Sequence, residues 1–275
     1  MKKTVLLTGA TGAIGKATAI ALANANCSLI LFGRNAAKLA QVKSEIIQAT
    51  ANKDLETYVA DLSEPKSIRQ AVAQIRKTHS SLNALVNIAA VFSRQRTENS
   101  QGLEYTFATN HLGPFVLTNE LLDLLKAGKP ARVITVSAPS TTKVNFEDIN
   151  GKTKYSSGFL GAFGASKMMN IMFTYALARR LQGTGVSTSV FHPGLVKSEL
   201  TRDMPKLLYY LFRAISSPPD KAAKMLCRLA IDPAYENSNG TFWKVDGKEI
   251  KSSGYSYDKD LQEKLWTLSE QLSNS

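Results

Sequence analysis

At 275 residues and 44% hydrophobic content, the chain is long enough to bury one substantial core, and a single α/β domain over 1–275 is expected. Its two cysteines, Cys27 and Cys227, lie far apart in apolar surroundings, which speaks against a disulfide framework and against any metal site. The formal charge of +12 would attract phosphate groups or anionic surfaces, but no dense basic run or helix-turn-helix signature accompanies it, so nucleic acid is not an expected partner.

Met1-Lys2-Lys3 leads straight into the apolar run 5–7, too short for a secretory or membrane-spanning segment, and a cytoplasmic setting is expected. Further apolar runs follow at 29–32, 58–60, 84–86, 133–136, 186–191 and 241–245, with helical stretches between them. This alternation predicts about seven strands in a doubly wound, Rossmann-type parallel sheet with helices on both faces, three layers in all. Right-handed crossovers then direct ligands to the carboxyl ends of the strands. Helices are predicted at 15–25, where alanines crowd, and at 35–49, where Leu39, Val42, Ile46 and Ile47 share a face. A third starts near Ser63-Glu64-Pro65, with Ser63 as a possible cap and Pro65 in the first turn. The stretch 198–219 reads as an irregular insertion, apolar at Leu207, Leu208 and Leu211 and stopped by Pro218-Pro219.

The first strand runs into Thr8-Gly9-Ala10-Thr11-Gly12-Ala13-Ile14-Gly15, which in turn opens a helix. That is the context a phosphate-cradling loop needs: Gly9 permits the tight turn, a small residue at 12 or 13 admits the pyrophosphate, and Gly15 lets the helix pack closely. After the second strand, Arg34-Asn35 stand where an NAD-selective site would place a carboxylate. A guanidinium there pairs with a 2′-phosphate and favours NADP(H).

With these motifs, nearly the whole chain resembles the short-chain dehydrogenase/reductase family, in particular its retinol-dehydrogenase-like branch. The resemblance implies an adenine contact at Asp61-Leu62 and a fourth-strand motif at Asn87 and Ala89. It also implies nicotinamide contacts from Pro193, Gly194, Val196 and Ser198. Asn110 matches the asparagine that anchors a water relay, and Lys167 matches the lysine that binds the nicotinamide ribose. Phe163 occupies the place of the catalytic tyrosine, and Ala138 that of the catalytic serine, so both usual hydroxyl donors are missing. Ser140, Thr141, Thr142, Lys167 and Tyr155 are candidate replacements.

Three readings stay open from the sequence. One is an NADP(H)-dependent reductase of a small apolar substrate, a carbonyl or an activated C=C bond, with an altered proton source and 198–219 as a substrate lid. The second is a non-redox lyase, isomerase or cyclase, and the third an inactive NADP(H)-binding protein. A homo-oligomer through the helix 163–181, whose Met168, Met169, Ile171, Met172 and Phe173 could equally be core, and peripheral membrane contact through 206–213 are the further expectations.

Overall fold

A computed structural model describes residues 2–157, 160–198, 200, 210 and 214–274. Among them, β1 (Thr4–Thr8), β2 (Ser28–Gly33), β3 (Leu55–Val59), β4 (Ala84–Asn87), β5 (Ala131–Val136), β6 (Val186–His192) and β7 (Thr241–Lys244) form one parallel sheet in the order β3-β2-β1-β4-β5-β6-β7. The winding reverses between β1 and β4, so a crevice opens there at the carboxyl ends of the strands. Val5, Leu6 and Leu7 of β1 are all fully buried, because helices cover both faces of the sheet. The apolar runs are continuous rather than alternating for the same reason.

The helices are α1 (Ala13–Asn24), α2 (Ala36–Thr50), α3 (Pro65–Thr78), α4 (Tyr105–Phe107), α5 (Gly113–Glu120), α6 (Leu122–Ala127), α7 (Ala162–Arg180), α8 (Asp220–Ile231) and α9 (Lys259–Asn274). On one face, Val5, Leu31 and Ile134 pack against Leu22 of α1, Leu39 of α2 and Met225 of α8. On the other, Leu6, Phe32 and Val133 pack against Ile68 of α3, Phe115 of α5, Met172 of α7 and Trp266 of α9. Among the described residues, no helix is long and apolar enough to cross a membrane.

Two local expectations change. β3 begins at Leu55, before the apolar run 58–60, because the edge strand takes its register from β2, with Leu29 opposite Leu55. Ser63 does not cap α3: Glu64 takes that position without a side-chain bond, and the Ser63 amide and hydroxyl both donate to Asp61 Oδ1, at 2.8 and 2.7 Å. The apolar residues of α7 are buried within the chain's own core. Phe173 of α7 stacks on Trp266 of α9 at 5.8 Å, the Arg180 guanidinium lies 3.9 Å from the Trp266 ring, and Met168, Met169, Ile171 and Met172 are all buried. α9 thus covers this apolar face of α7.

Candidate functional site

The loop between β1 and α1 is shaped by two glycines. Gly9 has φ +73°, and a Cβ on it would lie 2.9 Å from the backbone of Ala89, so only glycine lets the β1 and β4 ends approach. A Cβ on Gly15 would lie 2.0 Å from the Gly9 carbonyl oxygen, so α1 can pack onto its own loop only through glycine. Gly12 is less constrained, its nearest contact being 3.4 Å, and its amide donates to the Gly9 carbonyl at 3.0 Å. Thr11 and Gly12 are exposed, while Ala13 and Ile14 are half-buried in the first turn of α1. That turn has no acidic residue and no side-chain cap. Its free amides and the positive end of the helix dipole therefore face the crevice, an environment that suits a pyrophosphate. Thr8 serves the architecture of the crevice. Its hydroxyl oxygen accepts the amides of Ile88 and Ala89 at 3.0 and 3.1 Å, joining the ends of β1 and β4.

At the far end of the crevice, Arg34 is exposed at the end of β2 and donates to the Tyr105 hydroxyl. Asn35 caps α2, its side chain accepting the Lys38 amide at 2.9 Å, and so fixes the turn that carries Arg34. Asp61 holds the turn after β3 through its bonds to Ser63, whereas the Leu62 side chain is buried in the core. Asn87 donates to the Thr118 hydroxyl at 3.2 Å, and its buried Oδ1 has no partner.

At the opposite end, Asn110 lies in a π-helical turn, Ala108–Leu112. Its Oδ1 accepts the Val91 amide at 2.7 Å, and its Nδ2 donates to the Val91 carbonyl at 2.9 Å and to the Ser166 hydroxyl at 3.1 Å. The Asn110 carbonyl accepts from Asn170 at 2.9 Å, so the expected water-relay anchor is already tied to α7. Phe163 and Lys167 stand one helical turn apart on α7. Lys167 Nζ lies 3.4 Å from the Val136 carbonyl, to which it donates, and 5.2 Å from the Phe163 ring centroid. Burial lowers the Lys167 pKa to about 8. Phe163 meets Phe92 edge to face at 5.5 Å, making an apolar wall beside the ammonium. Pro193, Gly194 and Val196 follow β6, with Gly194 at φ +74°. Ser198 is half-buried, and backbone bonds of 2.9 Å from Ser217 to Leu195 and 3.0 Å from Lys197 to Ser217 close the base of the insertion.

Residues 3–207 match the family model described as short chain dehydrogenase. The chain belongs to the short-chain dehydrogenase family. Such proteins bind a nicotinamide dinucleotide, and the loop, helix end and lysine described above fit one. The chain is 35% identical to retinol dehydrogenase 14 of Mus musculus, covering 98% of this chain and 85% of that protein. Against retinol dehydrogenase 12 of Mus musculus the identity is 36%, covering 98% and 86%. A crystal structure of a protein from Mycobacterium paratuberculosis superposes with a TM-score of 0.80 at 27% identity, covering 99% of this chain and 94% of the other.

In this short-chain dehydrogenase, two hydroxyls near Ala138, those of Ser137 and Ser140, are committed to backbone. Ser137 Oγ donates to the Lys167 carbonyl and Ser140 Oγ to the Gly164 carbonyl, both at 2.8 Å and both buried. They clamp the first turns of α7 to the end of β5. Ser140, a candidate donor from the sequence, thus spends its proton on backbone.

Tyr155 is also placed away from the expected position. Its hydroxyl donates to Glu104 Oε1 at 3.4 Å, and it lines a cavity of about 190 Å³ with Phe107, Ala162, Ala165 and Met169. At 100° per residue, those α7 residues lie on the face turned away from Phe163 and Lys167. The cause is Asp148, whose carboxylate accepts the amides of Lys152, Thr153 and Lys154 at 2.7, 2.9 and 3.2 Å and turns the loop over α4. These bonds, the Thr153 hydroxyl foremost, lower the Asp148 pKa to about 2.

Leu207, Leu208 and Leu211 of the expected lid lie outside the described residues, as does the 206–213 stretch apart from residue 210. Sequence reasoning set Ser137 aside as one residue off the serine position and facing the other way, and it missed Asn170 and Tyr105. Only Asn170 had a signal, sitting three residues beyond Lys167 on the same helical face.

Proposed function

We propose that this chain is an NADP(H)-dependent oxidoreductase that reduces a carbonyl or an activated C=C bond in an apolar substrate. In this reading Phe163 and Ala138 replace the usual tyrosine and serine. The observation that carries it is the buried Lys167 ammonium beside the Phe163 ring, at the carboxyl end of β5 and so on the same edge of the parallel sheet as the glycine loop after β1. Arg34 supports NADP(H), because an exposed guanidinium attracts a 2′-phosphate where a carboxylate would repel it. The Phe163–Phe92 wall supports an apolar substrate, as does the kinship with proteins named for retinol.

A bound nicotinamide supplies the hydride of such a reaction. The chain has to supply the proton and exclude water. Lys167 Nζ holds a proton there, and with its pKa near 8 it can release that proton close to neutrality. The proton passes from Nζ to the substrate oxygen, or to carbon in a C=C reduction. The neutral amine is then reprotonated from solvent. Phe163 keeps water from the reacting face, and Asn110 holds the Val91 segment against α7.

Following NADPH consumption with apolar aldehydes, ketones and enones, retinal among them, tests this reading. Turnover of at least one, faster with NADPH than with NADH, is the expected result. Tight NADPH binding with no turnover of any would instead favour the non-redox or binding role, which the absent hydroxyls would fit.

A further inference from the structure

The contact between Arg34 and Tyr105 joins two segments that are far apart in sequence. Arg34 is exposed on the turn after β2, and a long side chain on such a turn samples many rotamers. Tyr105 is half-buried on a segment fastened from several sides. Its own amide donates to the Thr97 carbonyl at 2.9 Å. The neighbouring Glu104 carboxylate accepts the amides of Thr106 and Phe107 at 2.9 and 2.6 Å. Asn99 Nδ2 donates to the Ser63 carbonyl at 2.6 Å, and the Ser100 amide donates to Glu64 Oε1 at 2.9 Å. These last bonds tie the segment to the turn that Asp61 organises after β3. The Arg34 turn, the Asp61 turn and Tyr105 therefore border one end of the crevice.

From this geometry we infer that Tyr105 is a positioning residue, holding the Arg34 guanidinium over the crevice so that its other N–H groups meet the 2′-phosphate of the adenosine ribose. The inference rests on the NADP(H) reading above. One guanidinium donor is engaged by the tyrosine oxygen, and among the described residues no other group takes the remaining donors, which can pair bidentately with a phosphate. Restricting the rotamers before the ligand arrives lowers the ordering cost of binding.

The test measures dissociation constants by calorimetry for NADPH, NADH, 2′,5′-ADP and 5′-AMP. The proteins are the parent, Tyr105→Phe, Arg34→Ala and the double variant. Tyr105→Phe should weaken NADPH and 2′,5′-ADP about three- to ten-fold, the range for one hydrogen bond, and leave NADH and 5′-AMP unchanged. With Arg34 already removed, the same change should have no effect on any of the four. Unchanged or tighter NADPH binding in Tyr105→Phe, while Arg34→Ala still weakens it, overturns this role and leaves the cofactor reading intact. Equal weakening of all four ligands also overturns it, since the ring would then only be shaping the crevice. Equal affinity of the parent protein for NADPH and NADH overturns the cofactor reading itself.

Discussion

At the scale of single residues, the proposed site sets the buried Lys167 beside Phe163, a ring with no proton to give. Phe163 lies one helical turn from Lys167, so a hydroxyl added to its ring would enter the space that the ammonium already polarises. General acids contribute about 10²–10⁴-fold, and one oxyanion donor about 10²–10³-fold. Phe163→Tyr combined with Ala138→Ser should therefore raise NADPH-dependent reduction of a simple apolar aldehyde by at least about ten-fold and exceed either single change. Steady-state rates of the four proteins, with NADPH affinity measured in each, decide this; no gain despite intact binding would refute it. The parent protein should behave differently with pH. If Lys167 supplies the proton, its acid form is the active one, so reduction should proceed below pH 8 and decline as pH rises through about 8. A pH–rate profile for kcat is the check, and a rate that stays flat past pH 9.5 would remove Lys167 from that role.

At the scale of elements, the contrast between Gly15 and Gly12 predicts unequal tolerance along one loop. A methyl group on Gly15 meets backbone at 2.0 Å, which only a shift of α1 against β1 can relieve, whereas at Gly12 the nearest atom is 3.4 Å away. Gly15→Ala should cost about 1–3 kcal/mol and weaken dinucleotide binding, while Gly12→Ala should leave the thermal midpoint within a few degrees of the parent. Calorimetric melting of both variants tests the difference.

The glycine loop was legible in the sequence because strand, glycines and helix are contiguous there. The β5–α7 loop was not: the position of Tyr155 depends on Asp148 gathering three amides and on Glu104 from a remote helix. The pairing of α7 with α9 was equally hidden. The methionines of α7 read as core or as interface with equal ease until Trp266 is seen against Phe173 and Phe115. Trp266→Ala should destabilise the protein by about 3–5 kcal/mol, measured by urea unfolding, because it removes a ring that fills this junction.

Over the whole molecule, the same junction links stability to pH. His111, fully buried in the π-helical turn, contacts the Ser269 hydroxyl of α9 at 3.0 Å. Burial lowers its pKa from 6.5 to about 4. The folded state thus binds fewer protons than the unfolded chain between these values. Stability is complete above pH 6.5 and is lost as pH falls towards 4, by about 2 kcal/mol between about pH 7.5 and about pH 5. Urea midpoints at both pH values should show that loss in the parent and a smaller one in His111→Gln, which replaces the imidazole by a group that does not titrate. An equal loss in both would assign the pH dependence to other groups.

By itself, the sequence determined the parallel sheet, its winding and the glycine loop after β1, because hydrophobic periodicity and adjacent glycines are local properties that each segment expresses alone. The tertiary structure decided which hydroxyls are committed to backbone, where Tyr155 points, what covers α7 and which residue faces Arg34. Each of these depends on contacts between segments far apart in the chain, and the directions of side chains across such contacts are set by packing rather than by spacing.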